Sequence, residues 1–484
     1  MSLISVSNLT FAYEGSYDNI FEDVSFQLDT DWKLGFTGRN GKGKTTFLNL
    51  LMGKYEYIGK ISASVAFQYF PYNVPDKSAI TTAIVEEIAP EYQDWELLRE
   101  LSLLGVHEDV LHRPFETLSN GEQTKILLAA LFLSENSFLL IDEPTNHLDM
   151  GGRKNVSNYL KGKSGFILVS HDRAFLDGCV DHVLSINKAN IEVQKGNFSS
   201  WLANKELQDN FERLQNVKLK KQISQLEKAA RKNADLSDKM EALTPPSGHA
   251  KEKGIRLMSK SKAIETRIKR AVDEKNELLK NLDHASDLKI TQLLYHKSRY
   301  LSLSNISIFY GKKSACSNVS FDINHGDRIA LCGKNGSGKS SILKLICGLD
   351  NITHNGDFAM SSGLKVSYVS QDTSFLSGNL TDYAQQHAID ESLFKAILRK
   401  LDFLRIQFEK DMENFSGGQK KKVLIARSLC EKAHLLIWDE PLNFIDVMSR
   451  MQIERLLLEY KPTILFVEHD KFFCDAIATR VVNL

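Results

Sequence analysis

The sequence predicts an α/β fold in which two copies of one domain, each built on a mainly parallel sheet, are joined by a long helical segment. A glycine-rich loop with the pattern GxxxxGK[ST] is present twice, at residues 38–45 and 333–340. In each copy a pair of acidic residues follows a strongly apolar run. Residues 201–290 are instead rich in Lys, Glu, Leu and Ala, with few β-branched residues, which is typical of helices.

The two copies keep an almost constant spacing along the chain. Lys339 follows Lys44 by 295 residues, and Asp439 follows Asp142 by 297. Because two unrelated domains would not keep this register, we interpret the chain as a duplicated domain with an insertion between its copies. The predicted domains are a first copy at residues 1–200, a helical linker at 201–290 and a second copy at 291–484.

Composition excludes several classes of protein. The 484 residues carry 61 basic and 61 acidic side chains, so any attraction to nucleic acid must come from a local patch. No run of about 18 apolar residues is present and the N-terminus lacks a signal-peptide pattern, so we expect a cytoplasmic protein without a membrane domain. The six cysteines form no CxxC pair, and we expect reduced core residues rather than a disulfide or zinc framework.

Each glycine-rich loop is predicted to bind nucleotide phosphates, because its glycines let backbone N–H groups approach an anion at the start of a helix. Lys44 and Lys339 would reach the β- and γ-phosphates, and the hydroxyls of Thr45 and Ser340 would ligate Mg²⁺. The expected cofactors are therefore ATP and Mg²⁺. The other loop residues expected to bind ATP are Gly38, Asn40, Gly41, Gly43 and Thr46 in the first copy and Gly333, Asn335, Gly336, Gly338 and Ser341 in the second.

The acidic pairs follow the apolar runs 137–141 and 434–438, which we predict to be strands buried on both faces of a parallel sheet. Ligands bind such sheets beyond the C-terminal ends of the strands. A carboxylate suits Mg²⁺ there, and a second acid can orient or deprotonate an attacking water. The predicted metal ligands are Asp142 and Asp439, and the predicted catalytic acids are Glu143 and Glu440.

A histidine follows a further apolar run in each copy. His171 follows residues 166–169, and His469 follows residues 464–467. A single histidine in such a place is more often a hydrogen-bonded structural residue. Its recurrence in both copies favours contact with the terminal phosphate, so we include both histidines among the catalytic candidates.

Together these motifs resemble the ABC ATPase family, whose diagnostic feature is an LSGGQ-type signature. The matching stretches are LSNGEQ at 118–123 and FSGGQ at 415–419, and locally each also fits a capping box at a helix start. The resemblance implies that each signature closes on the nucleotide held by the other copy. Two composite sites would then pair Lys44 with Ser416 and Lys339 with Ser119, within one monomeric chain.

The same resemblance supplies further candidates. Gln371 matches the Q-loop glutamine, which contacts ATP and the metal. Tyr13 and Tyr310 match the aromatic residue that stacks on adenine, although each could be an ordinary strand aromatic. The remaining expected ATP contacts in the signatures are Gly121, Gly417 and Gly418.

DEPTNHLD at residues 142–149 and SHDRAFLD at 170–177 are more specifically similar to the ABC-F subfamily. Members bind the E site of the 70S ribosome and project the linker towards the P-site tRNA and the peptidyl-transferase centre of 23S rRNA. DTDWKLGFTGRNGKGKTTFL, WELLRELSLLGV, HRPFETLS and IWDEPLNFIDV resemble Lsa-type resistance proteins, which protect ribosomes against pleuromutilins, lincosamides and streptogramin A compounds. The short span between Tyr72 and Ser119 leaves no room for an inserted arm, as in those relatives.

Departures from the family pattern predict two unequal sites. Asn120 replaces the first signature glycine, and asparagine tolerates the left-handed backbone that glycine favours. In the first copy Tyr72 stands where the Q-loop glutamine belongs, with Gln68 four residues earlier. In the second copy Leu442 and Phe444 replace the usual Thr and His.

The linker is predicted to form an antiparallel helical hairpin or coiled coil. Apolar residues recur at spacings of four and three over 207–214 and at every seventh position over 264–278. The stretch TPPSG at 244–248 cannot continue a helix, so it marks the turn. The candidate tip residues are Met240, Leu243, Pro245, Pro246 and His249.

Basic residues cluster just past this turn, where residues 251–270 carry eight basic and two acidic side chains. A lysine-rich helix is often only a solvated face. A net positive cluster near the end of a projecting hairpin fits contact with an RNA phosphate backbone better. The RNA-binding candidates are Lys251, Lys253, Arg256, Lys260, Lys262, Arg267 and Lys269.

Three functions fit the sequence. The first is a ribosome-binding ABC-F ATPase that confers antibiotic resistance, and the second is a housekeeping translation factor of the same subfamily. The third is the energising subunit of a transporter, which would need a membrane partner docked near the Q-loop. The charged helical linker and Tyr72 argue against the transporter, and the missing arm argues mildly against the housekeeping factor.

Overall fold

The computed structural model describes residues 2–14, 19–134, 136–146, 148–187, 190–242, 292–293, 295–311, 313–350, 352–401 and 403–484. The chain forms two compact units, one made of Met1–Ser199 with Asp287–Leu484 and the other of Ser200–Ser286. Within the described part of the chain, every helix is too short or too polar to span a membrane.

The strands of the first copy are β1 (Leu3–Phe11), β2 (Phe21–Asp29), β3 (Lys33–Thr37), β4 (Ile58–Ser62), β5 (Ala66–Phe70), β6 (Ser137–Asp142), β7 (Phe166–Val169), β8 (His182–Asn187) and β9 (Asn190–Lys195). They form an antiparallel sheet with the order β2-β1-β4 and a second sheet with the order β5-β6-β7-β3-β8-β9. The second sheet is parallel except for β9.

The strands of the second copy are β10 (Arg299–Tyr310), β11 (Lys313–Asn324), β12 (Arg328–Cys332), β13 (Thr353–Met360), β14 (Val366–Val369), β15 (Leu435–Asp439), β16 (Ile464–Val467) and β17 (Arg480–Asn483). They repeat the arrangement, with an antiparallel sheet β11-β10-β13 and a parallel sheet β14-β15-β16-β12-β17. The predicted fold class, two tandem α/β domains with parallel sheets, is confirmed.

Helices pack around these sheets. In the first copy they are α1 (Lys44–Leu51), α2 (Thr81–Ile88), α3 (Asp94–Leu104), α4 (Asn120–Leu133), α5 (Met150–Lys161) and α6 (Arg173–Cys179). In the second copy they are α8 (Lys339–Cys347), α9 (Leu380–Gln386), α10 (Glu391–Lys400), α11 (Gly417–Cys430), α12 (Val447–Tyr460) and α13 (Lys471–Ile477). Short 3-10 turns lie at Glu108–His112, Phe115–Thr117, Arg405–Glu409 and Met412–Asn414.

Strand β15 shows why the acidic pair follows a continuous apolar run. Leu435 and Ile437 pack into the core shared with the antiparallel sheet, whereas Leu436 and Trp438 pack into the core formed with helices of the other layer. Successive side chains of a strand point to opposite faces, so a strand covered on both sides needs apolar residues at every position. The buried strand therefore places Asp439 at its C-terminal end.

The linker contributes one long described helix, α7 (Phe198–Ala242), which contains the first helix predicted for the hairpin. At about 1.5 Å per residue its 45 residues span about 68 Å. Leu207, Phe211 and Leu214 are exposed on it. The turn and the return helix of the predicted hairpin lie outside the described residues.

A buried carboxylate ties α3 to α5 in the first copy. Glu100 is 1% exposed and accepts hydrogen bonds from Tyr159 Oη at 2.6 Å and from Lys163 Nζ. Arg99, which is largely exposed, donates to the other carboxylate oxygen at 3.0 Å. Position 397 of the second copy, 297 residues later, holds the buried Ile397 instead. The polar tie is therefore specific to the first copy.

We expect Glu100→Ala to lower the free energy of unfolding of the first copy by about 2–4 kcal/mol, because it leaves a buried hydroxyl and an ammonium group without their acceptor. Differential scanning calorimetry of the full chain would show the transition of this copy at a lower temperature. Arg99→Ala is the matched control, and it should cost less than about 1 kcal/mol because the Arg99 side chain is largely exposed and its loss leaves Glu100 with its two other donors. Equal destabilisation by the two changes would contradict this interpretation.

Candidate functional site

Both glycine-rich loops wrap the start of a helix in the way that an anion requires. Gly43 and Gly338, which precede α1 and α8, have left-handed backbone with φ of 94° and 88°. No side chain caps either helix start, so the first backbone N–H groups are left for a ligand. Lys44 Nζ donates to Gly38 O at 2.6 Å, and Lys339 Nζ makes the equivalent 2.9 Å bond to its own loop. The loops fit the phosphates of a nucleotide.

Each loop lysine also faces an acid of the other copy. Burial lowers the pKa of Lys44, while the negative charge of Asp446 opposes that shift most strongly. Burial likewise lowers the pKa of Lys339, and Asp149 is among the acids that oppose the shift. The segments at Asp149 and Asp446 therefore approach the opposite loop, and the sites built on Lys44 and Lys339 are named here the Lys44 site and the Lys339 site.

Two of the predicted magnesium ligands lie together in each copy, whereas Gln371, the fifth, donates to Glu440 instead. Thr45 Oγ1 donates to Asp142 Oδ2 at 3.0 Å, and Ser340 Oγ donates to Asp439 Oδ1 at 3.2 Å. Burial raises the pKa of Asp142, and burial raises that of Asp439 to about 6. A hydroxyl beside a carboxylate at the end of a parallel strand is a suitable oxygen donor set for Mg²⁺.

The catalytic candidates sit just past this pair in an unusual backbone conformation. Glu143 and Glu440 have φ of 51° and 47°, and their backbone N–H groups donate to the carbonyl groups that end β7 and β16. His171 Nε2 lies 3.3 Å from Glu143 Oε1, and His469 Nε2 lies 3.6 Å from Glu440 Oε1. The structure thus brings each glutamate to the histidine of its own copy.

The two glutamates differ in their hydrogen bonds. Glu440 Oε2 accepts from Gln371 Nε2 at 2.7 Å and from Asn443 Nδ2 at 2.6 Å. Glu143 Oε1 is buried, and although His171 Nε2 lies 3.3 Å away it is not aligned to donate, so this oxygen accepts no hydrogen bond from the described residues. A buried acceptor without a donor is costly unless a ligand supplies one, so this orphaned oxygen fits a site that takes up water or phosphate.

The pKa values of the two carboxyl groups shift in opposite directions. Burial, with the charge of Asp142, raises the pKa of Glu143 to about 8. Burial acts the same way on Glu440, but His469 and the bond from Asn443 outweigh it, so the pKa of Glu440 is lowered. Glu440 is therefore held as a carboxylate, the form that can accept a proton.

Neither candidate for the first Q-loop residue points at the metal ligands. Tyr72 Oη donates to Glu87 Oε1 at 2.9 Å, and Gln68 Nε2 donates to Ser134 Oγ at 2.6 Å. Tyr69, which sequence reasoning missed, donates from its hydroxyl to Asp142 Oδ2 at 2.9 Å. Alignment of the two copies could have found it, because its counterpart Tyr368 lies one residue before the end of the equivalent strand β14.

We expect Tyr69→Phe to raise the Mg²⁺ concentration needed for half-maximal ATP binding at the Lys44 site by roughly five- to tenfold. It removes one of the two hydroxyl donors that orient the Asp142 carboxylate. Isothermal titration of ATP at stepped Mg²⁺ concentrations measures the effect, and EDTA should abolish binding in every variant. Tyr368→Phe is the matched control. A Mg²⁺ requirement that is the same in both variants would contradict the role of Tyr69.

The first signature helix faces the second phosphate loop. Ser119 and Glu122 form a capping box at the start of α4, as predicted. Asn120 begins this helix and is not among the residues with positive φ, so the helix start does not use the tolerance of asparagine for left-handed backbone. The signature lines a cavity of about 990 Å³ that it shares with the Lys339 loop. From the first copy this cavity is lined by Ser119, Asn120, Gly121, Glu122, Asn146 and Asp149, and from the second by Tyr310, Asn335, Gly336, Ser340, Ser341, Gln371, Glu440 and His469.

The second signature faces the first phosphate loop more tightly. Asn40 Nδ2 donates to Phe444 O at 2.9 Å across the two copies. A Cβ added at Gly418 would lie 2.2 Å from Phe444 O and 3.3 Å from Asn40 Nδ2. The capping box of α11 joins Ser416 and Gln419. The second signature and the loop of the Lys44 site are therefore adjacent.

The two tyrosine candidates occupy equivalent places. Tyr13 Oη shares a hydrogen bond with Thr46 Oγ1 at 2.8 Å, and Tyr310 Oη donates to Ser341 Oγ at 3.2 Å. Both rings are substantially exposed beside a phosphate loop. A base bound at either loop could therefore stack on an exposed aromatic face.

Candidates in the linker are less fully described. Met240 lies within α7, and its side chain is outside the described set. The remaining tip candidates and all seven RNA-binding candidates fall outside the described residues.

Comparisons with known proteins agree with this geometry. The family described as ABC transporter matches residues 21–146 and 316–443, one stretch in each copy. ATP-binding protein Uup from Buchnera aphidicola subsp. Acyrthosiphon pisum is 28% identical over 511 residues, covering 99% of this chain and 80% of Uup. Ribosome protection protein VmlR from Bacillus subtilis is 27% identical over 490 residues, covering 98% of this chain and 85% of VmlR. Both are ABC-F proteins, so the predicted resemblance to that subfamily is confirmed.

A solved structure also shares the fold. In the complex of archaeal ribosomal stalk protein aP1 with archaeal ribosome recycling factor aABCE1, the matched chain has a TM-score of 0.66 and 18% identity. The match covers 98% of this chain and 87% of the solved one.

Proposed function

Because this chain belongs to the ABC transporter family, we propose that it is an ABC-F ATPase that binds ATP and Mg²⁺ at the Lys44 and Lys339 sites and acts on the ribosome. ATP binding closes the two copies on each other, and hydrolysis releases them. The protein works in the cytoplasm as a monomer whose two copies pair within the chain.

The residues of each site have different roles in ATP hydrolysis. Backbone N–H groups of the loop and the loop lysine bind the phosphates, and the Thr45–Asp142 and Ser340–Asp439 pairs hold the metal. Bound Mg²⁺ supplies positive charge that offsets the charge developing on the phosphates. The glutamate after each aspartate orients water and accepts its proton.

The histidine of each copy completes the site from the terminal-phosphate side. Burial lowers the pKa of His171 well below its ordinary value, so its ring is neutral and can donate one hydrogen bond. His469 stands in the equivalent place beside Glu440. The opposite signature, through Ser416 or Ser119, would contact the terminal phosphate and make each site dependent on closure.

The ribosome assignment rests on one observation, the likeness to the ribosome protection protein VmlR along 98% of this chain and 85% of VmlR. A relative that shared only the ATPase copies would not support it, because those copies recur in transporters. The match extends over 98% of this chain and so includes the linker. The basic stretch at residues 251–270 suits an RNA partner, here 23S rRNA and the P-site tRNA reached from the E site.

Protection of the peptidyl-transferase centre against pleuromutilins, lincosamides and streptogramin A compounds is the specific form of this proposal. The linker tip, with Met240, Leu243, Pro245, Pro246 and His249, would lie near the P-site tRNA and disturb the drug pocket. A housekeeping ABC-F factor would bind the same ribosome without changing drug sensitivity. A transporter subunit would not bind the ribosome.

Cosedimentation of the Glu143→Gln/Glu440→Gln variant with 70S ribosomes tests the central claim. The variant should pellet with ribosomes in ATP and remain in the supernatant without nucleotide. The matched linker variant carries Gln at Lys260, Lys262, Arg267 and Lys269, and it should pellet less with a shallower salt dependence. No ATP-dependent pelleting by the first variant, with ATPase activity intact in the parent protein, would refute the ribosome assignment.

A translation assay separates the two ABC-F alternatives. Wild-type protein should restore peptide synthesis by lincosamide-inhibited ribosomes, whereas a housekeeping factor would bind ribosomes and leave the inhibition unchanged. Erythromycin, outside the proposed drug set, serves as the matched drug control.

A further inference from the structure

One charged contact joins the two copies away from the phosphate loops. Arg173, the first residue of α6, donates from Nη2 to Glu454 Oε2 at 2.6 Å, and its guanidinium lies 5.3 Å from the centre of the Phe472 ring. Both partners belong to the second copy. The side chains of Arg173 and Glu454 are 10% and 18% exposed, so water screens this ion pair less than an ordinary surface pair.

Arg173 directly follows a chain of hydrogen-bonded residues in the first copy, Asp172–Arg153–Leu148, which is named here a relay. Its neighbour Asp172 accepts from Arg153 Nη1 at 2.8 Å, and Arg153 Nε donates to Leu148 O at 3.1 Å. Leu148 and Arg153 both line the cavity of the Lys339 site. Asp172 also follows His171 of the Lys44 site directly in sequence. The relay therefore connects the histidine loop of one site to a wall of the other.

Glu454 is attached to the matching relay of the second copy. Arg450, one helical turn earlier on α12, donates from Nη1 to Asp470 Oδ2 at 3.2 Å and from Nε to Ile445 O at 2.8 Å. Asp470 directly follows His469 of the Lys339 site. The positive charge of Arg450 acts on both Glu143 and His171, which places this relay beside the Lys44 site.

The contact between the relays is present on one side only. The counterpart of Arg173 in the second copy is Lys471, which is exposed, and the counterpart of Glu454 in the first copy is Ser157. Ser157 Oγ donates to Phe175 O at 3.3 Å, within its own copy. The Arg173–Glu454 pair therefore has no equivalent at the matching positions of the other copy.

We propose that Arg173 and Glu454 are positioning residues that couple ATP binding at the Lys44 site to ATP binding at the Lys339 site. Movement of either histidine loop on closure displaces Arg173 or α12, and the ion pair transmits that displacement to the opposite relay. The proposal rests on the two ATP sites of the proposed function. It does not depend on the ribosome, since both relays lie within the paired copies.

Reversal of the charges tests this coupling. Arg173→Glu and Glu454→Arg should each raise the ATP concentration at half-saturation by about three- to tenfold and lower the Hill coefficient to 1, within the range typical of coupled sites. The double reversal Arg173→Glu/Glu454→Arg restores opposite charges and should recover at least half of the lost cooperativity. Arg173→Gln provides a milder change if a reversed variant fails to fold, which circular dichroism detects.

The measurement is an equilibrium ATP-binding isotherm in excess Mg²⁺, made in the Glu143→Gln/Glu440→Gln background so that hydrolysis does not intervene. Reversal of the partly exposed Glu391–Lys395 pair on α10, which lies within one copy, is the matched control and should leave the isotherm unchanged. Recovery in the double reversal separates coupling from a loss of fold. An isotherm without cooperativity for the Glu143→Gln/Glu440→Gln parent, or single charge-reversed variants that keep the cooperativity, overturns the coupling. Absence of any ATP binding instead refutes the proposed function.

Discussion

The Glu143→Gln/Glu440→Gln variant should hydrolyse ATP about 10²- to 10⁴-fold more slowly than the wild-type protein while still binding it. Glutamine has the shape of glutamate but cannot accept a proton from water. The residues around each glutamate, including the Thr45–Asp142 and Ser340–Asp439 pairs, are unchanged by the substitution. Phosphate release measures the loss, and ATP titration measures the binding that remains.

The single variants sharpen this prediction. Glu440→Gln replaces a carboxylate that accepts hydrogen bonds from two amide donors, Gln371 and Asn443. It therefore removes the glutamate that is more readily able to accept a proton. Glu143→Gln replaces a carboxyl group whose pKa burial raises to about 8 and should reduce turnover less. Glu459→Gln, at an exposed position of α12, is the control and should match the wild type. Normal turnover in the double variant would rule out the glutamates as the proton acceptors.

Gly418→Ala should lower ATP turnover at the Lys44 site about 10- to 100-fold, because the added methyl group displaces the Phe444 carbonyl that accepts from Asn40 of the opposite copy. Its Cβ would lie 2.2 Å from Phe444 O, where the neighbour is backbone and cannot rotate away. Overpacking of this kind costs about 1–3 kcal/mol, and every 1.4 kcal/mol is a factor of ten in population. Turnover measured in the Glu440→Gln background reports the Lys44 site alone.

Gly417→Ala is a closely matched control for this steric argument. The two glycines are adjacent in the first turn of α11, but a Cβ at Gly417 would meet Phe444 ring atoms at 3.5 and 3.7 Å, which is ordinary contact. The methyl group therefore adds the same helix propensity without the clash. We expect a loss of at most about fivefold, which corresponds to the lower end, about 1 kcal/mol, of the same overpacking range. Similar losses in the two variants would mean that the clash with Phe444 O does not limit closure.

The fold was predictable where a strand buried on both faces produces a continuous run of apolar residues in the sequence. Residues 166–169 and 464–467 are apolar throughout, and the structure has strands with those bounds. A strand covered on both faces leaves no polar position, so its ends are marked by the first charged or polar residue. The acids and histidines that we selected stand at those ends, and for that reason the structure brings them together.

Contacts between distant segments were not predictable. Tyr69 donates to an acid 73 residues away, and Arg173 pairs with a residue 281 positions away. Neither belongs to a local motif, and the second depends on how the two copies meet. The capping boxes were predictable, because Ser119 with Glu122 and Ser416 with Gln419 are local patterns that need no information about distant segments.

The difference in hydrogen-bond donors at Glu143 and Glu440 has a consequence for the order in which the two ATP molecules are hydrolysed. Glu440 is held by two amide groups, whereas Glu143 depends on what enters its site. Two hydrolysis events with different rates would then end one closed state in sequence, and the slower event would set how long the protein stays on its target. The Lys44 site, whose Glu143 lacks those donors, would be the slower one. A change at the Lys44 site should therefore alter how long the complex lasts, and a change at the Lys339 site should alter only the faster, earlier event.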